Sequence, residues 1–556
     1  MSQDNDQSIS TDRRRYWIKM TWAVVLVGWT VIVYIPALDA GFVWSDDDTG
    51  GLTHNVVLEE DGLYRVWFTT DSINYWPMVW TSYWLEYQLW SLDPAGYHWV
   101  NVLVHAACSL LIWPILARLK IPGGWLAALL FALHPVNVES VAWITQRKNV
   151  LSLFFFLVAV LSYLRYDDQR RPIRYGFALF AFVLAMLSKG AAVMLPVVLL
   201  MCVWWLRGRI NLRDVWRSLP FFAVAAVMSF VEIWFQYERS IAQDVVRDDG
   251  FAARLAGAGW AVWFYVYKAL LPINLCFVYP RWQIDPRHWS AHLPNLALVA
   301  LLALTWQYRR SWGRPLLFAL GYYVLTLLPV LGFFDVYFMK YSLVADHWQY
   351  LAIIAIIALV VGWAASLAPM HGRVTRWMLC IFALFVLGSF SLSSWRQSKN
   401  YHDSETLLRD TVSKNPNAWM AHYNLGILLR EKNQFEAAKH HYKITIQIKP
   451  DHAKAHNNLG IIFKRQGHVQ EAIAHYRQAL AIKANFFQAH YNLGVVLMDQ
   501  GKIDQAIRSY QEALRIDATD PDLYLELAKA FKAQGKDEQA AKSYRRAIEL
   551  GQKHRS

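Results

Sequence analysis

Cysteine is scarce in this chain of 556 residues. Cys108, Cys202, Cys276 and Cys380 lie far apart, and none belongs to a C-x-x-C pair. Such spacing supplies neither a disulfide framework nor a thiolate metal site, so all four read as small apolar residues. Charge is also scarce. Only 17% of residues are charged and 56% are hydrophobic, whereas a soluble domain carries about a quarter charged residues. A single water-soluble domain is therefore excluded. The shortage is uneven: apolar sequence fills roughly the first 395 residues and then yields to a polar, Ala-rich tail, so two parts with different solvents are expected.

Other absences narrow the function. The net charge of +13 has no single basic patch behind it, which speaks against nucleic acid. The cations sit in short clusters between apolar runs: Arg13–Arg15 with Lys19, Arg207/Arg209/Arg213/Arg217, Arg309/Arg310/Arg314 and Arg373/Arg376. That is the positive-inside pattern, and 28 Trp with 28 Tyr, many at the ends of apolar runs, fit an interfacial aromatic belt. The first apolar run, Trp17–Leu38, lacks an A-x-A-like cleavage site before the acidic loop and is long enough to span, so it reads as an uncleaved helix. No internal hydropathy duplication is visible, which argues against a transporter.

What is present is an all-α pattern. About eleven spans are expected, near 17–38, 97–117, 122–134, 149–164, 173–188, 190–206, 218–237, 292–307, 315–331, 348–367 and 376–394. Several are short for a ~30 Å hydrocarbon core. The basic clusters hold residues 1–16 in the cytoplasm and leave the acidic loop 39–96, the loop 135–148 and the loop 332–347 outside. Residues 251–271 are apolar enough to cross. A crossing there would invert every later side, so the segment reads as re-entrant or interfacial, with a twelfth span as the alternative.

From 397 onward the chain repeats. Gly426, Gly460 and Gly494 are 34 residues apart, with Ala528 next. Tyr442, Tyr476, Tyr510 and Tyr544 keep the same period, as do Ala438, Ala472, Ala506 and Ala540. N-L-G early, A-x-x-x-Y late and turns at Gly467, Gly501 and Gly535 mark the tetratricopeptide (TPR) helix–turn–helix. The segment 402–415 fits the second helix of a leading half-repeat before about four repeats. Small residues sit where paired helices touch, and the Tyr is expected against the next repeat. Such a solenoid offers a concave surface to a peptide.

Chemistry-bearing residues gather in the outer loops. Asp46, Asp47 and Asp48 follow the first span; adjacent carboxylates suit a divalent cation, a general base, or simply a solvated loop. His98, Asn101 and His105 share one helix face, suited to interhelical hydrogen bonds or, with a further ligand, a metal. His134 and Glu139 follow. Arg147 and Lys148 lie outside against the positive-inside trend, where a phosphate is a natural partner. Lys189 ends its span on the same side, where it either meets a phosphate or snorkels to head groups. Asp346 and His347 stand just above a span and either bind a sugar or order their loop.

Seven stretches occur in one order: F-V-W-S-D-D-D, Y-W-P-M-V-W-T-S-Y, P-A-G-Y-H-W-V-N-V-L-V-H, F-A-L-H-P-V-N-V-E-S-V-A-W, Q-R-K-N-V-L-S, L-S-K and V-A-D-H-W-Q-Y. Followed by TPRs, this order resembles the transmembrane-and-TPR proteins similar to protein O-mannosyltransferases, bacterial members included, within the GT-C glycosyltransferases. The resemblance covers nearly the whole chain. It implies a GT-C-like membrane domain over 17–396, a TPR domain over 397–556, and transfer of a sugar, mannose among the candidates, from a polyprenyl-phosphate donor to protein hydroxyls. It implies an acidic base in the first outer loop, mapping onto Asp46 or Asp47, with Asp48 beside it. Arg147, Lys148 and Lys189 would face the donor phosphate and stabilise the leaving group. Ser45 stands where an Asp is often found, Gly50-Gly51 looks like a small insertion, and Trp76 replaces a basic residue of animal members. A divalent cation is left open. The competing reading is a non-enzymatic membrane scaffold that recruits partners through its TPRs.

Overall fold

The computed structural model describes residues 2–46, 52–241, 245–367 and 372–553. Among them every regular element is helical. The chain divides into two compact units, Met1–Asp410 and Thr411–Ser556.

In the first unit the eleven expected segments all fall on helices. Eight are long and apolar enough to cross a bilayer: Tyr16–Leu38, Pro94–Arg118, Ile144–Gln169, Gly190–Arg207, Leu212–Ile241, Trp289–Gln307, Gly313–Val330 and Gly372–Lys399. Pro172–Ser188 and Ile353–Leu367 are shorter apolar helices. The remaining segment is half of a bent pair, Gly124–Ala132 with Pro135–Ala142, broken by 49°. The cause is local. Pro135 has no N–H to continue the ladder and forces His134 out of the helical region. His134 is extended (φ −71°, ψ 125°), and its ring accepts the Val136 N–H. Residues 251–271 form a 20-residue helix, Phe251–Leu270, carrying Arg254 and Lys268. It packs on the helices that begin at Leu293 and Ile353.

Pro94–Arg118 is central: it packs on Arg147–Gln169, on Gly124–Ala132 and on the first helix. Trp29 Nε1 donates to Ser391 Oγ at 3.0 Å, joining the first helix to Gly372–Lys399. Trp377, Phe382 and Phe385 on that last helix are about two-thirds exposed, as a lipid-facing surface requires. At one end of the bundle the Arg207 guanidinium bonds both Asp214, the N3 residue of a capping box, and Asp167, which ties three helix ends together.

The second unit holds four helix pairs: Trp419–Glu431 with Phe435–Ile448, Ala453–Arg465 with Val469–Ile482, Phe487–Asp499 with Ile503–Ile516, and Pro521–Ala533 with Asp537–Lys553. The glycine period has a steric origin. A Cβ on Gly426, Gly460 or Gly494 would lie 2.6, 2.5 or 2.4 Å from the ring of Tyr442, Tyr476 or Tyr510. Each tyrosine ring therefore packs on the glycine of its own repeat. The expected contact with the next repeat survives as a hydrogen bond, Asn458 Nδ2 to the Tyr442 hydroxyl at 3.2 Å. Asn433 (φ 59°) takes the left-handed turn position that Gly467, Gly501 and Gly535 fill later. Asn and Gly are the residues that tolerate it.

Candidate active site

The loop after the first helix is pinned before it reaches its acid. Gly41 N donates to His402 O at 2.9 Å, and Trp44 N to Ser404 Oγ at 2.9 Å. Trp44 has φ 45°, costly for a bulky residue and stable only where packing over-determines it. Its ring is held among Trp143 (5.6 Å), Phe277 (5.2 Å), Phe338 (6.2 Å) and Tyr341 (5.9 Å). This aromatic box fixes Asp46, two residues on.

Asp46 is fully buried. Oδ1 accepts the Thr145 N–H at 2.8 Å and the Thr145 hydroxyl; Oδ2 accepts the Val43 N–H at 3.1 Å. Burial raises its carboxyl to about 7, against the lowering effect of these backbone donors and of Lys148. Desolvation wins, and the group is poised near neutrality. Asp47 and Asp48 lie outside the described residues.

Around this acid stands a cluster of ionisable groups. Lys148 is half-buried, with Nζ 4.6 Å from the Trp76 ring centre, and it interacts electrostatically with Asp46, Glu232 and Glu139. Trp76 Nε1 donates to Glu232 Oε1 at 3.1 Å. Lys189 donates to Asn149 Oδ1 at 2.6 Å, and its charge is felt by Glu139 and Glu232. Asn149 in turn donates to Gln146 Oε1 at 2.8 Å. Glu139 accepts the His347 N–H at 3.0 Å and meets His347 Nδ1 at 2.9 Å. Burial beside Lys189 and Lys148 holds the His347 imidazole well below its ordinary range, so it is neutral in its contact with Glu139. Asp346 accepts the Tyr279 hydroxyl at 3.0 Å.

The structure brings together Asp46, Glu139, Lys148, Lys189 and His347, and it adds Glu232, which sequence reasoning missed. The signal was there: Glu232 is the only charged residue between 218 and 237, and an acid inside a span seldom lacks a role. Arg147 needs a correction. It is fully buried. Nε donates to Asn101 Oδ1, Nη1 to Glu86 Oε1 and, at 3.2 Å, to Ser82 Oγ; Nη2 donates to Glu86 Oε2 at 3.2 Å and Tyr97 O at 2.8 Å. All five N–H groups are committed, so Arg147 is not available to a phosphate. Asn101 serves this lock, and its Nδ2 donates to Val141 O at 3.2 Å. His105 bridges Tyr350 OH (2.6 Å) and Ala132 O (3.0 Å). His134 meets Ala269 O at 3.0 Å. His98 is buried beside the Ala40 and Gly41 backbone. His105 and His134 tie helices together rather than facing the cluster. Among the described residues no three His, Cys, Asp or Glu side chains are grouped to hold a metal.

Comparison with known proteins follows this division. TPR family models match residues 426–467, 462–501 and 496–535, with tetratricopeptide-repeat models over 392–438 and 521–554. The chain is similar to the protein O-mannosyl-transferases. Protein O-mannosyl-transferase F38B6.6 of Caenorhabditis elegans is 24% identical over 454 residues, 76% of this chain and 62% of that protein. Protein O-mannosyl-transferase TMTC1 of Homo sapiens is 25% identical over 495 residues, 77% of this chain and 55% of that one. TMTC3 of Homo sapiens is 24% identical over 478 residues, 76% and 50%. The chain thus spans roughly half to three-fifths of the length of these relatives. Among solved structures, a crystal structure of MamA matches 27% of this chain and 88% of its own, at 23% identity and a TM-score of 0.26.

Proposed function

We propose that this chain is a membrane glycosyltransferase that moves a sugar from a polyprenyl-phosphate donor to protein hydroxyls. The observation that carries the reading is the cluster itself: a buried carboxyl poised near neutrality beside two half-buried lysines. In the reaction the acceptor O–H proton passes to the Asp46 carboxylate as the oxygen bonds the anomeric carbon. The bond from that carbon to the phosphate oxygen breaks, and polyprenyl phosphate leaves with the electron pair. Lys148 and Lys189 stabilise the charge that grows on the phosphate, the effect fixed cations supply best. Thr145, whose hydroxyl donates to Asp46, occupies the place an acceptor hydroxyl would take and yields it on acceptor binding. The similarity to named protein O-mannosyl-transferases supports the protein acceptor and makes mannose the first sugar to test. The TPR unit engages the acceptor polypeptide. The final span begins beside Arg373 and Arg376, which the positive-inside trend keeps in the cytoplasm, so the repeats emerge on the outer face.

The test is transfer from radiolabelled polyprenyl-phosphate mannose to an acceptor protein by the purified chain in lipid. Activity lost in Asp46→Asn and in Lys189→Ala supports the reading. Full activity in Asp46→Asn, or no transfer of any hexose by the native chain, overturns it.

A further inference from the structure

A second feature of the first unit is built from residues outside the Asp46 cluster. Between the segment 247–253, the segment 281–285 and Leu343 there is a cavity of about 630 Å³, within the ~300–1,000 Å³ of ordinary ligand sites. Its chemistry is mixed. Trp282 is half-buried, while Asp248, Arg281, Gln283 and Asp285 are exposed on its walls. Arg247 is buried behind them, locked by Asp249 and donating to Gly332 O at 3.4 Å, so this wall is rigid.

The set selects a ligand class. A lone anion or cation is disfavoured, because guanidinium and carboxylate groups both line the cavity. An apolar ligand would leave those groups unsatisfied. What matches is a neutral, polyhydroxylated ring: hydroxyls bridge carboxylate, guanidinium and amide, and the C–H face lies on an indole. Two short connections lead from this cavity to the Asp46 cluster. Phe277, whose ring touches Trp44, is four residues from Arg281, a span of at most ~14 Å. Leu343 lies three residues before Asp346, which accepts the Tyr279 hydroxyl.

We propose that this cavity is a hexose-binding site beside the Asp46 cluster. It deepens the transferase reading but is measured without turnover, so the two fail separately. The probes are methyl α-mannopyranoside and methyl α-glucopyranoside, read by saturation-transfer NMR on the full-length protein in nanodiscs. In a second arm the probe is a peptide carrying one O-linked hexose, with the bare peptide as control. The expected result is saturable binding that Trp282→Ala weakens tenfold or more, Trp282→Phe largely retains, Gln283→Ala and Asp285→Asn each weaken severalfold, and Asp46→Asn leaves intact. The peptide-linked sugar binding tighter than the free glycoside identifies a glycan on the acceptor; equal binding identifies a free or donor sugar. The proposal is overturned if no hexoside binds saturably, if the bare peptide binds as well as the glycosylated one, or if Gln283→Ala and Asp285→Asn, with native melting, bind like wild type.

Discussion

Asp46→Asn should do two opposite things at once, and the pair of effects is the strongest check on the site. A carboxyl raised from an ordinary 3.8 to about 7 is held protonated by the fold over a window in which the unfolded chain has already released its proton. Below pH 3.8 both states are protonated and the group has no effect on stability. Between 3.8 and 7 the folded state holds the extra proton, so stability falls as pH rises. Above 7 the full cost stands: at ~1.4 kcal/mol per pH unit, it is on the order of 4 kcal/mol. Asparagine keeps the shape and can still accept from Thr145, but its amide faces the Val43 N–H and forfeits that bond, ~1 kcal/mol. The net expectation is a variant more stable than wild type by roughly 2–3 kcal/mol at pH 8 and no more stable at pH 4. Transfer should meanwhile drop by ~10²–10⁴-fold, and wild-type kcat/KM should rise with pH up to about 7 and then level. Thermal unfolding in detergent at several pH values, alongside transfer rates, reads both. An Asn variant less stable than wild type at pH 8, or a stability difference independent of pH, would refute the buried-carboxyl argument.

Other outcomes follow from the same geometry. Arg147→Ala leaves Glu86 buried and unpaired and should destabilise the first unit by ~3–5 kcal/mol, read as a lower melting temperature; if Arg147→Ala melts normally and only donor binding suffers, the structural role assigned to it is wrong. Lys148→Gln and Lys189→Ala should each weaken binding of polyprenyl phosphate about ten- to a hundredfold, the worth of a charge-assisted bond, with a smaller loss of melting temperature than Arg147→Ala; equal donor affinity in both variants would remove the lysines from the phosphate. Gly460→Val drives a side chain into the Tyr476 ring, already 2.5 Å from a Cβ, and should cost ~1–3 kcal/mol, seen as faster proteolysis of the TPR unit. Alkaline phosphatase fused after Ser556 should be active; activity only of a cytoplasmic reporter would make Phe251–Leu270 a crossing helix and place the repeats inside.

The TPR register was legible because packing repeats it. One glycine under one tyrosine ring, every 34 residues, leaves the same mark at several positions. The spans were legible through apolar length, but the segment 122–134 was expected as a simple span, and the bend at His134-Pro135 that pairs it with Pro135–Ala142 was not anticipated. The site was legible only in outline. Sequence position led to the expectation that Asp46, Lys148, Lys189 and His347 share one membrane face, because span ends are countable. It did not distinguish Arg147 from its neighbour Lys148. One residue turns a helix by ~100°, which sends Arg147 inward to Glu86 and Lys148 over Trp76. Glu86 sits in the 14-residue helix Pro77–Trp90, whose facing no periodicity fixes. His98, Asn101 and His105 do share a face, as spacing required, yet that face is turned to neighbouring helices and the Arg147 lock. The Trp44 conformation, which aims Asp46, depends on contacts with residues as far along the chain as Phe338 and Tyr341, and no local pattern encodes it.

The locked Arg147 leaves Lys148 and Lys189 as the cations available to the donor phosphate we propose. Glu86 is neutralised by its own bidentate arginine, so it takes no charge from Lys148 or Lys189. Those two cations face three carboxyls, Asp46, Glu139 and Glu232. In the reaction we propose, an incoming phosphodiester anion would add negative charge beside Lys148 and compete for the cation that favours the ionised Asp46. Donor binding therefore raises the carboxyl further and makes it a stronger base toward an acceptor hydroxyl. When the sugar departs, the phosphate gains a second negative charge while Asp46 gains the acceptor's proton. The lysines thus meet increasing charge on one side as the carboxylate loses it on the other. In the proposed reaction that exchange keeps the net charge of the site constant through transfer.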